Sequence, residues 1–290
     1  MTPHRSSSAP AAGPGARLIG AALVRAAARA AGPGTVRFTG RQLYYETCRV
    51  LDPASSLLRR VPRTTSPLLR PAAFARALEA RGPESVPGLL PPAGVHPPRD
   101  PADAPEPDLY AYGLPRVLVC QDPEIAAMLL ANQVHLEAAC PVLAAGHALP
   151  LAPHLRAALE RAEGAVVQVL HDASPAGIAL PARIREALGP VPGVRVVSMG
   201  LVPRHAAALR LPSGRGPSPA SGAGERPPGL TPRECAWLDR GRFAEVAAVP
   251  PPCLVRTVLQ LARGPRPPRS SLRSDLRGLR TAGFLTWPAP

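Results

Sequence analysis

Between residues 116 and 199 the chain alternates short apolar runs with helix-forming segments, and this alternation restricts it to an α/β fold. The runs are Arg116-Val117-Leu118-Val119-Cys120, Pro141-Val142-Leu143-Ala144, residues 165–170 and residues 194–199. They lack the polar/apolar alternation of a half-exposed strand, so they read as strands buried on both faces. The segments between them, at 123–131, 155–163 and 181–188, have helical composition and short connections. A parallel sheet covered by helices follows, and ligands of such sheets collect at the carboxyl ends of the strands.

The segments before and after this core have other characters. Residues 1–15 read as a disordered leader. Residues 16–81 hold three helical segments, at 16–31, from a Thr39 cap to about Leu51, and from Ser66-Pro67 onward. A basic connector carrying Arg59, Arg60 and Arg63 precedes the third, which Arg70 also joins. Three short helices with a basic connector suit a helix-turn-helix or winged-helix DNA-binding unit, or equally a generic three-helix bundle. Residues 82–107 are Pro-rich and read as a linker, residues 108–262 as the α/β domain and residues 263–290 as a basic tail. Within 108–262 a Pro/Gly/Ser-rich break spans 212–229. Thr231-Pro232-Arg233-Glu234 then restarts helix with a capping-box pattern, and 242–245 and 254–262 read as helical.

The charge is one-sided. All 34 basic residues are arginine against 20 acidic residues, giving a net charge of +14 and a pI near 11.2. A lysine-free, Ala/Pro/Arg/Gly-rich chain points to GC-rich coding, which accounts for part of the arginine. The balance still favours a polyanionic partner, with duplex DNA ahead of an anionic membrane surface. Five scattered cysteines with no C-x-x-C pair argue against a disulfide framework and a structural zinc site. With no apolar h-region at the start and no apolar run of about 18 residues, a cytoplasmic protein that does not enter a membrane is expected.

Two places carry candidate chemistry. Thr39-Gly40-Arg41-Gln42-Leu43-Tyr44-Tyr45 sets two of the four tyrosines three and four residues after an arginine. A phenol can attack a phosphodiester while a guanidinium neutralises the developing charge; paired aromatics on a helix are also ordinary core. The second place is the pair of strand ends. The first strand runs into Gln121-Asp122-Pro123-Glu124, the third into His171-Asp172-Ala173-Ser174-Pro175-Ala176-Gly177. Acids on neighbouring parallel strand ends suit Mg²⁺, although Asp172 equally suits a helix cap. Gly177 allows close approach of backbone there. His171, Asp172 and His147 also admit a small-molecule α/β enzyme with a histidine base.

In this order the chain resembles the A subunit of DNA topoisomerase VI, the related meiotic double-strand-break transesterase and their bacterial relatives. These join a winged-helix unit carrying Arg-x-x-Tyr-Tyr to a Toprim-type α/β domain. The resemblance covers residues 16–80 and 108–262, through the Thr39–Tyr45 and His171–Gly177 stretches, Val117–Gln121, Gly146–Pro150, Gly200–Pro203 and Leu230–Glu234 with its following Glu245. It implies Tyr45 as nucleophile, Arg41 as its phosphate-side helper, a homodimer and a separate ATPase subunit as partner. It further implies Mg²⁺ held by Asp172 and by acids at positions 121 and 174, where this chain has Gln121 and Ser174. A neutral amide and a hydroxyl remove two charges from a hard-cation site, with Asp122 or Glu124 as possible substitutes. The expectation is therefore a duplex-DNA-binding relative with a degenerate metal site, associated with the nucleoid when bound. The alternative is an active Mg²⁺-dependent transesterase working through Tyr45.

Overall fold

The structure is a computed structural model that describes residues 14–52, 62–92, 113–148, 152–162, 164–216 and 229–263. Four strands, β1 (Arg116–Cys120), β2 (Val142–Ala144), β3 (Val166–Leu170) and β4 (Arg195–Ser198), form one parallel sheet in the order β2-β1-β3-β4. Every pairing is parallel, with Val117 opposite Val167 and Cys120 opposite Leu170 in the central pair. The chain moves outward from β1 to β2 on one side and from β3 to β4 on the other. The order thus reverses between β1 and β3, and a crevice opens at the carboxyl ends of those two strands.

The period of two along β1 and β3 distributes their side chains between two cores. Val117, Val119, Val167 and Val169 face a cluster with α7 (Pro153–Arg161) and α8 (Pro175–Leu188), into which Leu159, Leu180 and Ile184 project. Leu118, Cys120 and Leu170 join the second and larger cluster. Among its other members are residues of α1 (Pro14–Ala31), α2 (Gly40–Leu51), α4 (Pro123–Ala131) and α11 (Pro251–Ala262). One apolar cluster runs from α1 and α2 into the sheet. Asn132, at the end of α4, fastens the join by accepting from the Arg37 N–H and donating to the Arg37 carbonyl, both at 2.9 Å. Among the described residues, no helix is long and apolar enough to cross a membrane.

Local signals explain most element starts. Thr39 caps α2 with a full capping box, its hydroxyl accepting from the Gln42 N–H while the Gln42 side chain accepts from the Thr39 N–H. Thr231 and Glu234 do the same for α10 (Pro232–Asp239). Three elements differ from the sequence expectation. The third helix, α3 (Pro71–Arg81), starts at Pro71 and not at Ser66, because the backbone of Thr65 is committed to Leu211 and Ser213 across the chain. Helix α8 starts at Pro175 and runs through Pro181, held by its buried face of Leu180, Ile184 and Leu188 despite the lost hydrogen bond. Residues 242–245, expected as helix, are extended: β6 (Arg242–Phe243) pairs antiparallel with β5 (Gly214–Arg215). The Pro-rich stretch is anchored at its near end, where the Phe38 N–H donates to the Gly88 carbonyl and the Leu90 N–H to the Phe38 carbonyl. Residues 93–107 of that stretch, residues 108–112 after it and the tail beyond 263 lie outside the described residues.

Gly177, in the first turn of α8, lies against both central strand ends. A Cβ there would collide with the Asp172 carbonyl oxygen and come within 2.7 Å of Gln121 Oε1. Gly177→Ala is expected to cost about 2–3 kcal/mol, because the nearer obstacle is backbone. Thermal unfolding should show a Tm roughly 5–10 °C lower.

Candidate functional site

The crevice between β1 and β3 is built by two loops that hold each other. The Gln121 side-chain oxygen accepts from the Asp172 N–H at 2.9 Å, bridging the two strand ends. Ala173 and Ala244 exchange backbone hydrogen bonds of 2.9 and 3.0 Å in an isolated antiparallel bridge. The Asp172 carboxylate accepts from the Val246 N–H at 2.7 Å. These bonds bring the extended segment after β6 to the mouth of the sheet and fix Glu245 there.

Glu245 is buried and receives the two residues expected to act together. Arg41 Nε donates to Glu245 Oε2 at 2.5 Å and Arg41 Nη2 donates to Oε1, a forked ion pair. The Tyr45 hydroxyl donates to Oε2 at 2.9 Å. Residues 41 and 45 are one helical turn apart on α2, so both reach the same carboxylate. Tyr44 serves the core instead. Its hydroxyl donates to the Leu69 carbonyl at 2.8 Å, and its ring meets Phe74 edge-on at 5.5 Å. The paired aromatics thus divide into one core tyrosine and one tyrosine at the site.

The electrostatics follow from burial around one carboxylate. Burial raises the Tyr45 phenol above its usual range; the charge and hydrogen bond of Glu245 add to this and Arg41 opposes it. The phenol is protonated at neutral pH and donates its hydrogen bond to Glu245. Arg41 is raised, first through its hydrogen bond to Glu245. Burial also raises Glu124, with Asp122 and Glu245 adding and Arg41 opposing. Asp172 is pushed up to about 6, mainly by burial, with the Val246 N–H and Arg41 opposing and the charges of Glu245 and Asp122 adding.

A cavity of about 900 Å³ opens above these groups. Arg41, Tyr45, Glu124 and Glu245 supply its polar floor, and Phe74, Leu89 and Phe243 are among its apolar walls.

The remaining expected site residues take structural positions. Ser174 caps α8, its hydroxyl accepting from the Gly177 N–H at 3.0 Å, and Asp122 caps α4 by accepting from the Glu124 N–H at 2.8 Å. His171 is buried, with Nδ1 facing the Asp172 carbonyl and Nε2 facing Ser198 Oγ at 2.9 and 2.7 Å, and it is not on the cavity wall. His147 belongs to the short helix α6 (Ala145–Ala148), and its side chain lies outside the described residues. Arg63 and Arg70 are exposed, Arg70 preceding α3; Arg59 and Arg60 lie outside the described residues.

As arranged, this donor set does not fit a hard divalent cation. The Gln121 oxygen, the Ser174 hydroxyl and one Asp172 oxygen are each occupied by a backbone N–H. Among the described residues, no three His, Cys, Asp or Glu side chains gather in a metal-binding group.

Glu245, missing from the expected site residues, is the hub of the constellation. The sequence marks it twice, as the acid that follows Leu230–Glu234 in the resemblance and as a lone acid inside the apolar run Ala244-Glu245-Val246-Ala247-Ala248-Val249.

No protein-family model matches the chain, and comparison with curated proteins and with solved structures finds no match.

Two outcomes are expected from this geometry. Glu245→Ala strands Arg41 and Tyr45 together and should destabilise the fold by about 3 kcal/mol, measured by denaturant unfolding. Asp172 is raised in the folded state, so its stabilising contribution is complete below its unfolded value of 3.8 and is lost as pH rises through about 6. Asp172→Asn should therefore gain on wild type by up to about 3 kcal/mol between pH ~4 and ~8, read from paired unfolding curves.

Proposed function

We propose that the protein binds duplex DNA as a homodimer, as a relative of the topoisomerase VI A subunit whose cation-ligand positions have passed to structural duty. The observation that carries this reading is the use made of Gln121, Asp172 and Ser174. Each accepts a hydrogen bond from a backbone N–H, and together they hold the two strand-end loops and cap α8. The arginine-only excess of +14 supplies the attraction for phosphate, with exposed Arg63 and Arg70 in the helical region. A separate ATPase subunit belongs to the same reading as a partner.

A second reading, cleavage through Tyr45, is favoured by one feature. The phenol and the Arg41 guanidinium share one carboxylate, so a proton acceptor lies 2.9 Å from the hydroxyl and a cation sits beside it. In that reading Glu245 takes the phenolic proton as Tyr45 Oη attacks phosphorus, and Arg41 turns from the protonated carboxyl to the phosphate oxygens. The P–O bond to one deoxyribose breaks as the phosphotyrosyl bond forms, and Glu245 returns the proton to the departing sugar hydroxyl.

Supercoiled plasmid incubated with the protein and Mg²⁺ or Mn²⁺ separates the two. The binding reading predicts retarded but intact plasmid, with affinity falling at least ~100-fold between about 50 and 200 mM salt. Tyr45→Phe should bind within about two-fold of wild type. Nicked or linear DNA carrying covalent protein, lost in Tyr45→Phe, would establish the cleavage reading instead. Absence of retention at low salt would overturn both.

A further inference from the structure

A second cavity, of about 750 Å³, shares no lining residue with the one above Glu245. Its wall carries Arg25 and Arg29 from α1, Arg49 from the last turn of α2 and Arg210 beyond α9 (Pro203–Ala208). Arg25 and Arg29 are one turn apart and project on the same side of α1. Thr65 and Ser66 place two hydroxyl-bearing residues on the same wall, and Leu68 and Leu209 an apolar patch.

The charge of this cavity is not balanced from within. Buried Glu46 accepts from Arg49 Nη1 at 2.5 Å and lies 3.8 Å from Arg29 Nε. Asp52 is on the wall. Among the described residues, Arg210 and Asp52 contribute opposite charges to the wall, and Arg25, Arg29 and Arg49 against Glu46 leave a formal excess of 3 − 1 = +2. Arg49 bears the consequence. Burial lowers its pKa, the neighbouring Arg29 charge acts in the same direction, and Glu46 opposes. Arg49 Nη2 is fully buried and, among the described residues, has no hydrogen-bond acceptor. An ionised donor without an acceptor is costly. Nη2 itself is closed to the cavity, so a bound anion lowers that cost through its charge.

We propose that this cavity is a phosphate-binding site for a phosphoryl group carried on a body of up to nucleotide size. The phosphoryl oxygens are held by Arg25, Arg29 and Arg49, and the apolar part of the ligand lies toward Leu68 and Leu209. Guanidinium forks match phosphate oxygens two at a time, and a dianion cancels the excess of +2. The volume is that of a small-molecule site and far exceeds a single phosphate ion. The phosphoryl group has two possible sources, a free phosphorylated small molecule or the backbone of a nucleic acid. The site stands independently of Tyr45, Glu245 and the reading attached to them.

The test is isothermal titration of the full chain with pyrophosphate, and with adenosine 5′-monophosphate beside adenosine. Thermal unfolding accompanies it, in pyrophosphate and in chloride of equal ionic strength. Arg25 and Arg29 are both exposed, so Arg25→Gln with Arg29→Gln leaves the core intact; Arg25→Gln alone is the milder second variant. Wild type should bind pyrophosphate saturably, prefer the monophosphate to adenosine and gain Tm in pyrophosphate over chloride. The double variant should bind at least ten-fold more weakly and lose that gain, while keeping the general salting effect that any excluded anion exerts. A short duplex that displaces pyrophosphate assigns the phosphoryl group to nucleic acid. Simultaneous binding of both assigns it to a free ligand, and either result supports the site. Absence of saturable binding, or equal binding by the double variant, overturns the proposal.

Discussion

The buried carboxylate of Glu245 ties the N-terminal helices to the mouth of the sheet. It takes a forked ion pair from Arg41 and a hydrogen bond from Tyr45, both on α2, while its own backbone segment is fastened to the loop after β3. An ionised group at this depth is tolerated only when its oxygens are occupied, and here both are. The interaction fixes the placement of α2 against the crevice and the rotamers of Arg41 and Tyr45. It also sets the charge state of the site, because a carboxylate beside a buried phenol keeps the phenol protonated.

The crevice shows how one set of groups serves either structure or chemistry. At the reversal of strand order the backbone N–H groups of Asp172, Gly177 and Val246 need acceptors, and Gln121, Ser174 and Asp172 supply them. A side chain that satisfies a buried N–H has fewer lone pairs left for a cation, and withdrawing it leaves a donor unsatisfied. The same bonds that build the site therefore oppose the ligand set that the sequence resemblance implies. The arginine-lined cavity presents the converse case, with more donors than the protein satisfies by itself.

Much of the scaffold was legible because its signals are local. The central strands β1 and β3 are apolar runs with no polar alternation and are buried from Val117 to Cys120 and from Val167 to Leu170, and the spacing of the strands by helical segments implies parallel pairing. The run that forms β4, read in the same way, is largely exposed, because it lies at the edge of the sheet. Thr39 with Gln42 and Thr231 with Glu234 mark helix starts that the structure reproduces in the same residues. The reading failed where a local pattern has two uses. Ser66-Pro67 and Pro181 both resemble helix starts, yet the first belongs to a segment hydrogen-bonded to residues 211–213 and the second sits inside a helix held by its buried face. Residues 242–245 were misread because their conformation depends on β5 and on Ala173, at a distance no local pattern records.

By itself, the sequence determined the parallel α/β core, the helical region before it, the adjacency of Arg41 and Tyr45 on one helical turn and the strong positive charge. Composition, periodicity and i, i+4 spacing express these directly. Only the tertiary structure decided what those residues touch. It placed Glu245 between Arg41 and Tyr45 across about 200 residues of chain, fused the helices and sheet into a shared core, and turned Gln121 and Ser174 toward backbone donors. The physical reason is that desolvation acts on position in space. A charge or a lone pair acquires its partner, and hence its role, only after the chain has closed around it.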